Sequence, residues 1–314
     1  MAKCRVCGAP AEAYLDYSRT YLCSRCFNDY YERKVGATIQ RFKMIKPNDR
    51  VLVAVSGGKD SASLLAVLRK LLPDVEMAAL YINLGIPQYS DHCEEKFKKI
   101  TEVLGVESLV FDLKRELGFS IPDFRRTVYR RRLCSPCGTI KRYLMNKIAV
   151  EQGFSKLATG HHMDDIVETL FNSYLHGDVE QIVRLKPVLS STHPKFVAKI
   201  KPLWNVTEQE NLFYATYNEL PVRTVGCPLA KGARSLEQKR YLSSLVEHIP
   251  NFRHVFLSSH MRELLPALER SITAPPLKEC KKCGMPTSGE VCAFCKRAEL
   301  VLGKISNQSP KFKV

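Results

Sequence analysis

Val51-Leu52-Val53-Ala54-Val55-Ser56-Gly57-Gly58-Lys59-Asp60-Ser61 is the stretch that decides how the rest of the chain is read. Its apolar, valine-rich first half predicts a strand over 51–55. The next six residues form a compact polar turn with two glycines, a lysine, an aspartate and two serines. An apolar helical segment, Leu64 to Leu72, follows at once. A strand that runs through glycines into a helix N-terminus makes an anion site. The glycines let backbone N–H groups approach oxygen atoms, and the helix dipole favours negative charge there. The spacing is not that of the Walker A loop, G-x-x-x-x-G-K-[ST], whose lysine follows the second glycine of a longer loop.

The hexapeptide Ser56 to Ser61 resembles the PP-loop of ATP pyrophosphatases, which cleave ATP between the α- and β-phosphates and adenylate a carbonyl or amide oxygen. The resemblance implies an enzyme that uses ATP. The flanking sequence supplies the matching architecture. A helix is predicted over 27–46, closed by Pro47. Strands are then predicted at 75–82, 107–112 and 155–159, alternating with helices at 61–72, 90–104, near 138–152 and 164–175. This alternation predicts an α/β, doubly wound, mostly parallel sheet with helices on both faces, the HUP-like fold of PP-loop enzymes. Ligands of such sheets lie beyond the carboxyl ends of the strands. That places Ser56, Gly57, Gly58, Lys59, Asp60 and Ser61 at the nucleotide, together with Asn83 and the pair Gly160 and His161.

Lys and Arg total 48 against 32 Asp and Glu, a formal net charge of +16. Heat adaptation would raise Glu along with Lys, so the one-sided excess points to a polyanionic partner, with nucleic acid first. No apolar run approaches the roughly 18 residues of a membrane span. MAKCRVCGAP lacks the apolar core of a signal peptide, and the cytoplasm is the expected compartment.

Eleven of the 12 cysteines fall in motifs; Cys93 stands alone and reads as a small buried residue. Without an export signal, metal is a better reading than disulfides. Cys4, Cys7, Cys23 and Cys26 form C-x2-C-x15-C-x2-C; Cys280, Cys283, Cys292 and Cys295 form C-x2-C-x8-C-x2-C. Each set suits one tetrahedral zinc, and segments this short draw much of their folding energy from the metal. Both zincs are expected to be structural. The chain thus divides into an N-terminal ribbon (1–30), a PP-loop catalytic domain (31–205), a helical extension carrying Cys227 (206–274), a C-terminal ribbon (275–300) with Pro275-Pro276 before it, and a tail (301–314) expected to fray.

A third cysteine motif, Cys134-Ser135-Pro136-Cys137, lies behind Arg125, Arg126, Arg130, Arg131 and Arg132. One more cysteine, Cys227, sits in Thr224-Val225-Gly226-Cys227-Pro228-Leu229-Ala230-Lys231-Gly232. Three thiolates suit a [4Fe–4S] cluster with one iron lacking a protein ligand. They also suit a dithiol or persulfide relay through Cys134 and Cys227, or a zinc completed by a histidine. The arginine run reads as a contact for an RNA backbone.

SGGKDS, the C-S-x-C-G…K-R-Y block, GHxxDD, the G-C-P-x-A-K-G-A-x-S block and the two four-cysteine ribbons together resemble the tRNA 2-thiolation enzymes of the TtuA type, in order and over nearly the whole chain. The resemblance implies sulfur transfer to C2 of a tRNA uridine, the 5-methyluridine at position 54. It implies ATP with Mg²⁺, a [4Fe–4S] cluster on Cys134, Cys137 and Cys227, and catalytic Lys141 and Asp165 beside Lys59. It further implies a ubiquitin-like sulfur carrier with a C-terminal thiocarboxylate, and a homodimer. His162 stands where relatives often carry Asn, and no role beyond proximity to the nucleotide is read for it. The alternatives are thiolation of uridine 34 in the anticodon, a cluster-free persulfide mechanism, and an RNA-binding zinc protein with a vestigial nucleotide site.

Overall fold

The computed structural model describes residues 2–230, 234–272 and 276–306. Lys231 and Gly232 of the Cys227 block, Pro275 of the proline pair and residues 307–314 of the tail lie outside them.

The chain opens with a hairpin, β1 (Ala13–Leu15) and β2 (Thr20–Leu22), leading into α1 (Ser24–Arg41). There follow β3 (Val51–Ala54), α2 (Lys59–Leu71), β4 (Met77–Asn83), α3 (Tyr89–Leu104), β5 (Glu107–Asp112), α4 (Leu113–Leu117), α5 (Cys134–Glu151), β6 (Lys156–Thr159) and α6 (Met163–His176). After α7 (Val179–Arg184) come β7 (Val188–Leu189), β8 (Ala198–Ile200) and α8 (Glu208–Tyr217). Helices α9 (Arg234–His248), α10 (Phe252–Ser259) and α11 (Leu265–Ser271) precede a second hairpin, β9 (Lys278–Glu279) and β10 (Pro286–Thr287), and α12 (Ala293–Ser306).

The central sheet has six strands in the order β5-β4-β3-β6-β8-β7, all parallel except β7. The chain winds outward from β3 through β4 to β5, then returns to β6 on the other side of β3. The switch point therefore lies between β3 and β6, where Ala54 pairs with Thr159, and a crevice for a ligand opens beyond it. Alternation along β3 builds a core on each face. Val51, Val53 and Val55 join α1, α2, α3 and α8 on one side; Leu52 joins α5 and α12 on the other. A third cluster gathers α6, Trp204 and α10. Among the described residues no helix is long and apolar enough to cross a membrane.

The doubly wound sheet is as the sequence predicts, with shifted ends. The first helix starts at Ser24 rather than 27, with Cys23 as its N-cap, and stops at Arg41 rather than 46. Lys43 turns to a φ of 47° and Met44 is fully buried. Burying Met44 outweighs the local helical pattern. Helix α5 starts at Cys134 rather than near 138 because Pro136 fits within a helix's first turn, where its missing N–H has no intrahelical partner to lose. Strands β7 and β8 were not read from the sequence; runs of two and three residues carry no period. The expected helical extension, 206–274, is not continuously helical among its described residues: Cys227 sits in the connection after α8, just before a short turn at Pro228–Ala230. Both α1 and α12 run across the expected domain limits at 30 and 300.

Helix α8 ties the N-terminal part to the nucleotide turn. Thr207 and Glu210 form a reciprocal capping box at its start. Glu210, fully buried, also meets Lys34 Nζ at 2.7 Å and accepts from Tyr17. The next residue, Asn211, accepts from Tyr31 at 2.7 Å and donates to Asp60 at 3.1 Å. Lys34→Met would leave a buried carboxylate without its cation, at a cost of about 3 kcal/mol or more. Denaturant unfolding should register that loss, and adding Glu210→Gln should recover most of it; equal stability of wild type and the single variant would refute the coupling.

Candidate functional site

The crevice at the switch point is built from the turns after β3 and β6. Gly57 takes a φ of 76°, and a Cβ there would come within 2.9 Å of the Cys93 carbonyl. Ser61 Oγ accepts from the Ser56 N–H at 3.0 Å and donates to the Gly58 carbonyl at 3.1 Å, closing the turn on itself. Gly58 is the N-cap of α2, so the first N–H groups of that helix face the crevice. From the other side Gly160 comes so close that a Cβ would stand 3.0 Å from the Ser61 nitrogen. Gly57 and Gly160 are each required by contact with backbone.

Charged side chains converge on this point. Lys59 Nζ meets Glu208 at 2.9 Å and Asp60 at 3.4 Å. Burial opposes its charge, but these carboxylates outweigh it and raise its pKa. A cavity of about 420 Å³ beside it is lined by Gly58, Lys59, Asp60, Thr216 and Arg223. A larger one of about 830 Å³, between Lys34, Trp204 and His254, includes no residue of the turn. His161 is exposed, with Nδ1 2.9 Å from Thr159 Oγ1. Asn83 is buried, donating to Glu94 and accepting from the Gly85 N–H. Both ends of its amide thus hold the turn after β4.

His162 is the residue that the sequence underweighs. It is 1% exposed, with Nε2 3.6 Å from Asp60 and 3.3 Å from Asp165, and Nδ1 3.5 Å from Asp164. Burial disfavours its charge, yet the three carboxylates outweigh it and raise its pKa. The two aspartates after it differ. Asp164 is engaged on every side: by His162, by Arg253 at 2.6 Å and by the Glu208 N–H at 2.8 Å. Burial works against its charge, but those donors hold its carboxyl down to about 2. Asp165 is the more open of the pair. Arg253, Glu208, Asn211 and Arg223 went unread because each reaches the turn from a distant segment; the capping box announces the helix of Glu208 but not its partner.

Cys134, Cys137 and Lys141 lie on one face of α5, at i, i+3 and i+7. Cys134 and Lys141 are exposed and Cys137 is half-buried. Burial pushes the Cys137 thiol up; Lys141 opposes this, while Cys134 and Cys227 add to it. Cys134 and Cys227 are therefore each within electrostatic reach of Cys137. The three thiols are not gathered within 4.8 Å as the ribbon sets are. Two thiols on a helix start beside Lys141, with a third on the connection after α8, are soft donors that fit an iron–sulfur group, whose ligands are thiolates. All five arginines of the run before them are exposed.

The ribbons share one design. In each, the first cysteine's N–H bonds five residues ahead, Cys4 to Ala9 and Cys280 to Met285. Its carbonyl takes the N–H of Gly8 or Gly284, both with positive φ. The last cysteine sits in the first turn of α1 or α12. Sulfur separations of 3.6, 3.7 and 3.9 Å match the edge of about 3.8 Å of a tetrahedron with bonds of about 2.3 Å.

Comparison with known proteins agrees with this geometry. The PP-loop domain profile matches residues 29–222, and that of the 2-thiouridine synthetase TtuA N-terminal LIM domain matches 3–28. The chain is 41% identical to tRNA-5-methyluridine(54) 2-sulfurtransferase of Pyrococcus horikoshii, over 94% of this chain and 93% of that one. The protein of the same name from Thermus thermophilus is 38% identical, over 95% and 91%. Among solved structures, the U34-tRNA thiolase NcsA of Methanococcus maripaludis with its [4Fe-4S] cluster superposes with a TM-score of 0.78 at 30% identity, covering 100% of this chain and 98% of that one. The chain belongs to the TtuA-type family of PP-loop tRNA thiolases. As a member it is an ATP-dependent tRNA sulfurtransferase.

The depressed pKa of Asp164 has a consequence for acid stability. A carboxyl held at about 2 in the fold and near its ordinary 3.8 when unfolded contributes stability above pH 4 that is lost as pH falls toward 2. The contribution is on the order of 2 kcal/mol. Arg253→Gln should therefore unfold at higher pH than wild type in an acid titration followed by circular dichroism. Coincident midpoints would remove Arg253 from the account.

Proposed function

We propose that the protein thiolates C2 of the 5-methyluridine at tRNA position 54, after adenylating its C2 oxygen at the PP-loop. The observation that carries this reading is the switch-point crevice. The anion-binding turn, Ser56 to Ser61, follows β3; α5, with Cys134, Cys137 and Lys141 in its first turns, precedes β6, the parallel neighbour of β3, and Lys141 lies within electrostatic reach of His161, just past the end of β6. Position 54 is favoured by the two relatives named for it at 41% and 38% identity, against 30% for the uridine-34 enzyme.

The chemistry needs two displacements. The uracil C2 oxygen is a poor leaving group. It attacks the α-phosphorus of ATP, the bond to the β-phosphate oxygen breaks, pyrophosphate leaves, and the N3 proton is lost. Backbone N–H groups of Gly57, Gly58, Asp60 and Ser61, with the Ser56 hydroxyl and Lys59, stabilise the departing pyrophosphate. Asn83, Gly160 and His161 complete the nucleotide's surroundings. A Mg²⁺ ion with the phosphates prefers oxygen ligands and finds them in Asp60 and Asp165. A sulfur nucleophile then adds at C2, the C2–O bond breaks, and AMP carries the oxygen away. Lys141 supplies a cation for the anionic sulfur donor, the thiocarboxylate terminus of a ubiquitin-like carrier.

Cys134, Cys137 and Cys227 hold the [4Fe–4S] cluster; when bound, it would supply an iron without a protein ligand, able to present sulfur. Zinc occupies the two ribbons, with structural roles. The exposed arginines 125, 126 and 130–132 take the tRNA backbone. Tyr241, Leu245 and Ile249, exposed apolar residues spaced four apart, fit the face of a homodimer. The cytoplasm, which keeps thiols reduced, is the compartment that suits them.

Anaerobic reconstitution followed by metal and sulfide analysis should find about four irons and two zincs per chain. Cys227→Ala should lose the iron and keep both zincs; full iron in that variant would take Cys227 out of the cluster. With ATP, a sulfur source and tRNA, nuclease mapping by mass spectrometry should place 2-thiouridine sulfur at position 54. Sulfur at 34 alone would move the protein to the anticodon branch.

A further inference from the structure

Arg223 lies against the nucleotide turn, held from several directions. Its own N–H donates to the Gly57 carbonyl at 2.8 Å. Its guanidinium lies 5.5 Å from the Tyr89 ring centroid, and Nη1 donates to the Val225 carbonyl at 2.6 Å. The missing side chain of Gly58 gives it room: a Cβ there would stand 3.4 Å from both Nε and Nη2. Nε is buried and has no hydrogen-bond partner. A desolvated guanidinium N–H without an acceptor is costly, and its neighbour is a turn built to hold an anion. The same residue lines the cavity shared with Gly58, Lys59 and Asp60.

We propose that Arg223 binds the β- and γ-phosphates of ATP, and so the pyrophosphate product, by donating Nε and Nη2 to phosphate oxygens. The proposal rests on the PP-loop reading above and adds to it a residue from outside the loop. Its planar fork matches phosphate oxygens in a way that a lysine does not. Lys59 is already met by two carboxylates, whereas the Arg223 hydrogen bond goes to a neutral carbonyl. Cys227 follows four residues later. Through the 222–227 segment, filling the phosphate site would also steady the cysteine that the proposed cluster needs.

Calorimetric titration of the full chain with Mg²⁺ and ATP, pyrophosphate or AMP tests this. Arg223→Gln should weaken ATP and pyrophosphate about ten- to a hundredfold, the loss of a charge-assisted hydrogen bond, and leave AMP within about twofold. Arg223→Lys keeps the charge without the fork, and should lose at least about threefold for pyrophosphate with AMP unchanged. It carries the test if the glutamine variant fails to fold. Pyrophosphate affinity equal to wild type in the folded variants, or an equal loss for AMP, would overturn the assignment. Lys59→Ala is the control for the reading beneath it. If wild type binds no pyrophosphate and Lys59→Ala leaves ATP affinity unchanged, the PP-loop reading falls and this one with it. If Lys59→Ala loses ATP while Arg223→Gln does not, only Arg223 is withdrawn.

Discussion

Everything at this site depends on how closely two backbone turns approach. Gly160, at the end of β6, packs on the backbone where α2 begins, and a single added carbon would sit 3.0 Å from the Ser61 nitrogen. That contact is available only because β3 and β6 are parallel neighbours in register, Ala54 beside Thr159. It places the acidic residues after β6 directly over the anion-binding turn after β3. His162 then fills the gap between Asp60, Asp164 and Asp165. A buried imidazole among three carboxylates is a means of keeping negative groups close together without exposing them to one another.

The fold was legible because its signals are local. A valine-rich strand, a glycine turn and an amphipathic helix can be read within a short window, and the four-cysteine spacings are specific by themselves. Element ends were less legible. Met44 ends α1 early by demanding burial, and β8 is strand because β6 and β7 lie beside it. The site divides in the same way. The turn residues and cysteines announced themselves. The resemblance singled out Asp165 without a physical reason; Arg253 and the Glu208 N–H, arriving from elsewhere, make Asp164 a structural anchor and leave Asp165 the more open of the two. Arg223 carried no local signal, since its meaning comes from the carbonyl of Gly57 and the bare face of Gly58.

The two ribbons occupy opposite faces of the sheet. Cys4, Cys23 and Cys26 are part of the core that holds α1, α2 and α8; Cys280, Cys292 and Cys295 are part of the core behind α5. In both, the last cysteine pair opens a helix, so thiolate charge sits at the positive end of a helix dipole. On the C-terminal side that helix has a second task. Phe294 stacks on Tyr143 with ring centroids 3.7 Å apart, and Arg297 reaches Thr139, Ser135 and the ring of Tyr129. These residues surround the first turns of α5, the turns that carry Cys134 and Cys137. A metal that orders the ribbon therefore orders α12, and α12 braces the helix on which Cys134 and Cys137 stand. The N-terminal ribbon acts in parallel on the other face: α1 positions α8 through Lys34 and Tyr31, and α8 holds Asp60 through Asn211. Each ribbon thus supports one half of the crevice, the C-terminal one beneath the thiols and the N-terminal one beneath the phosphate turn.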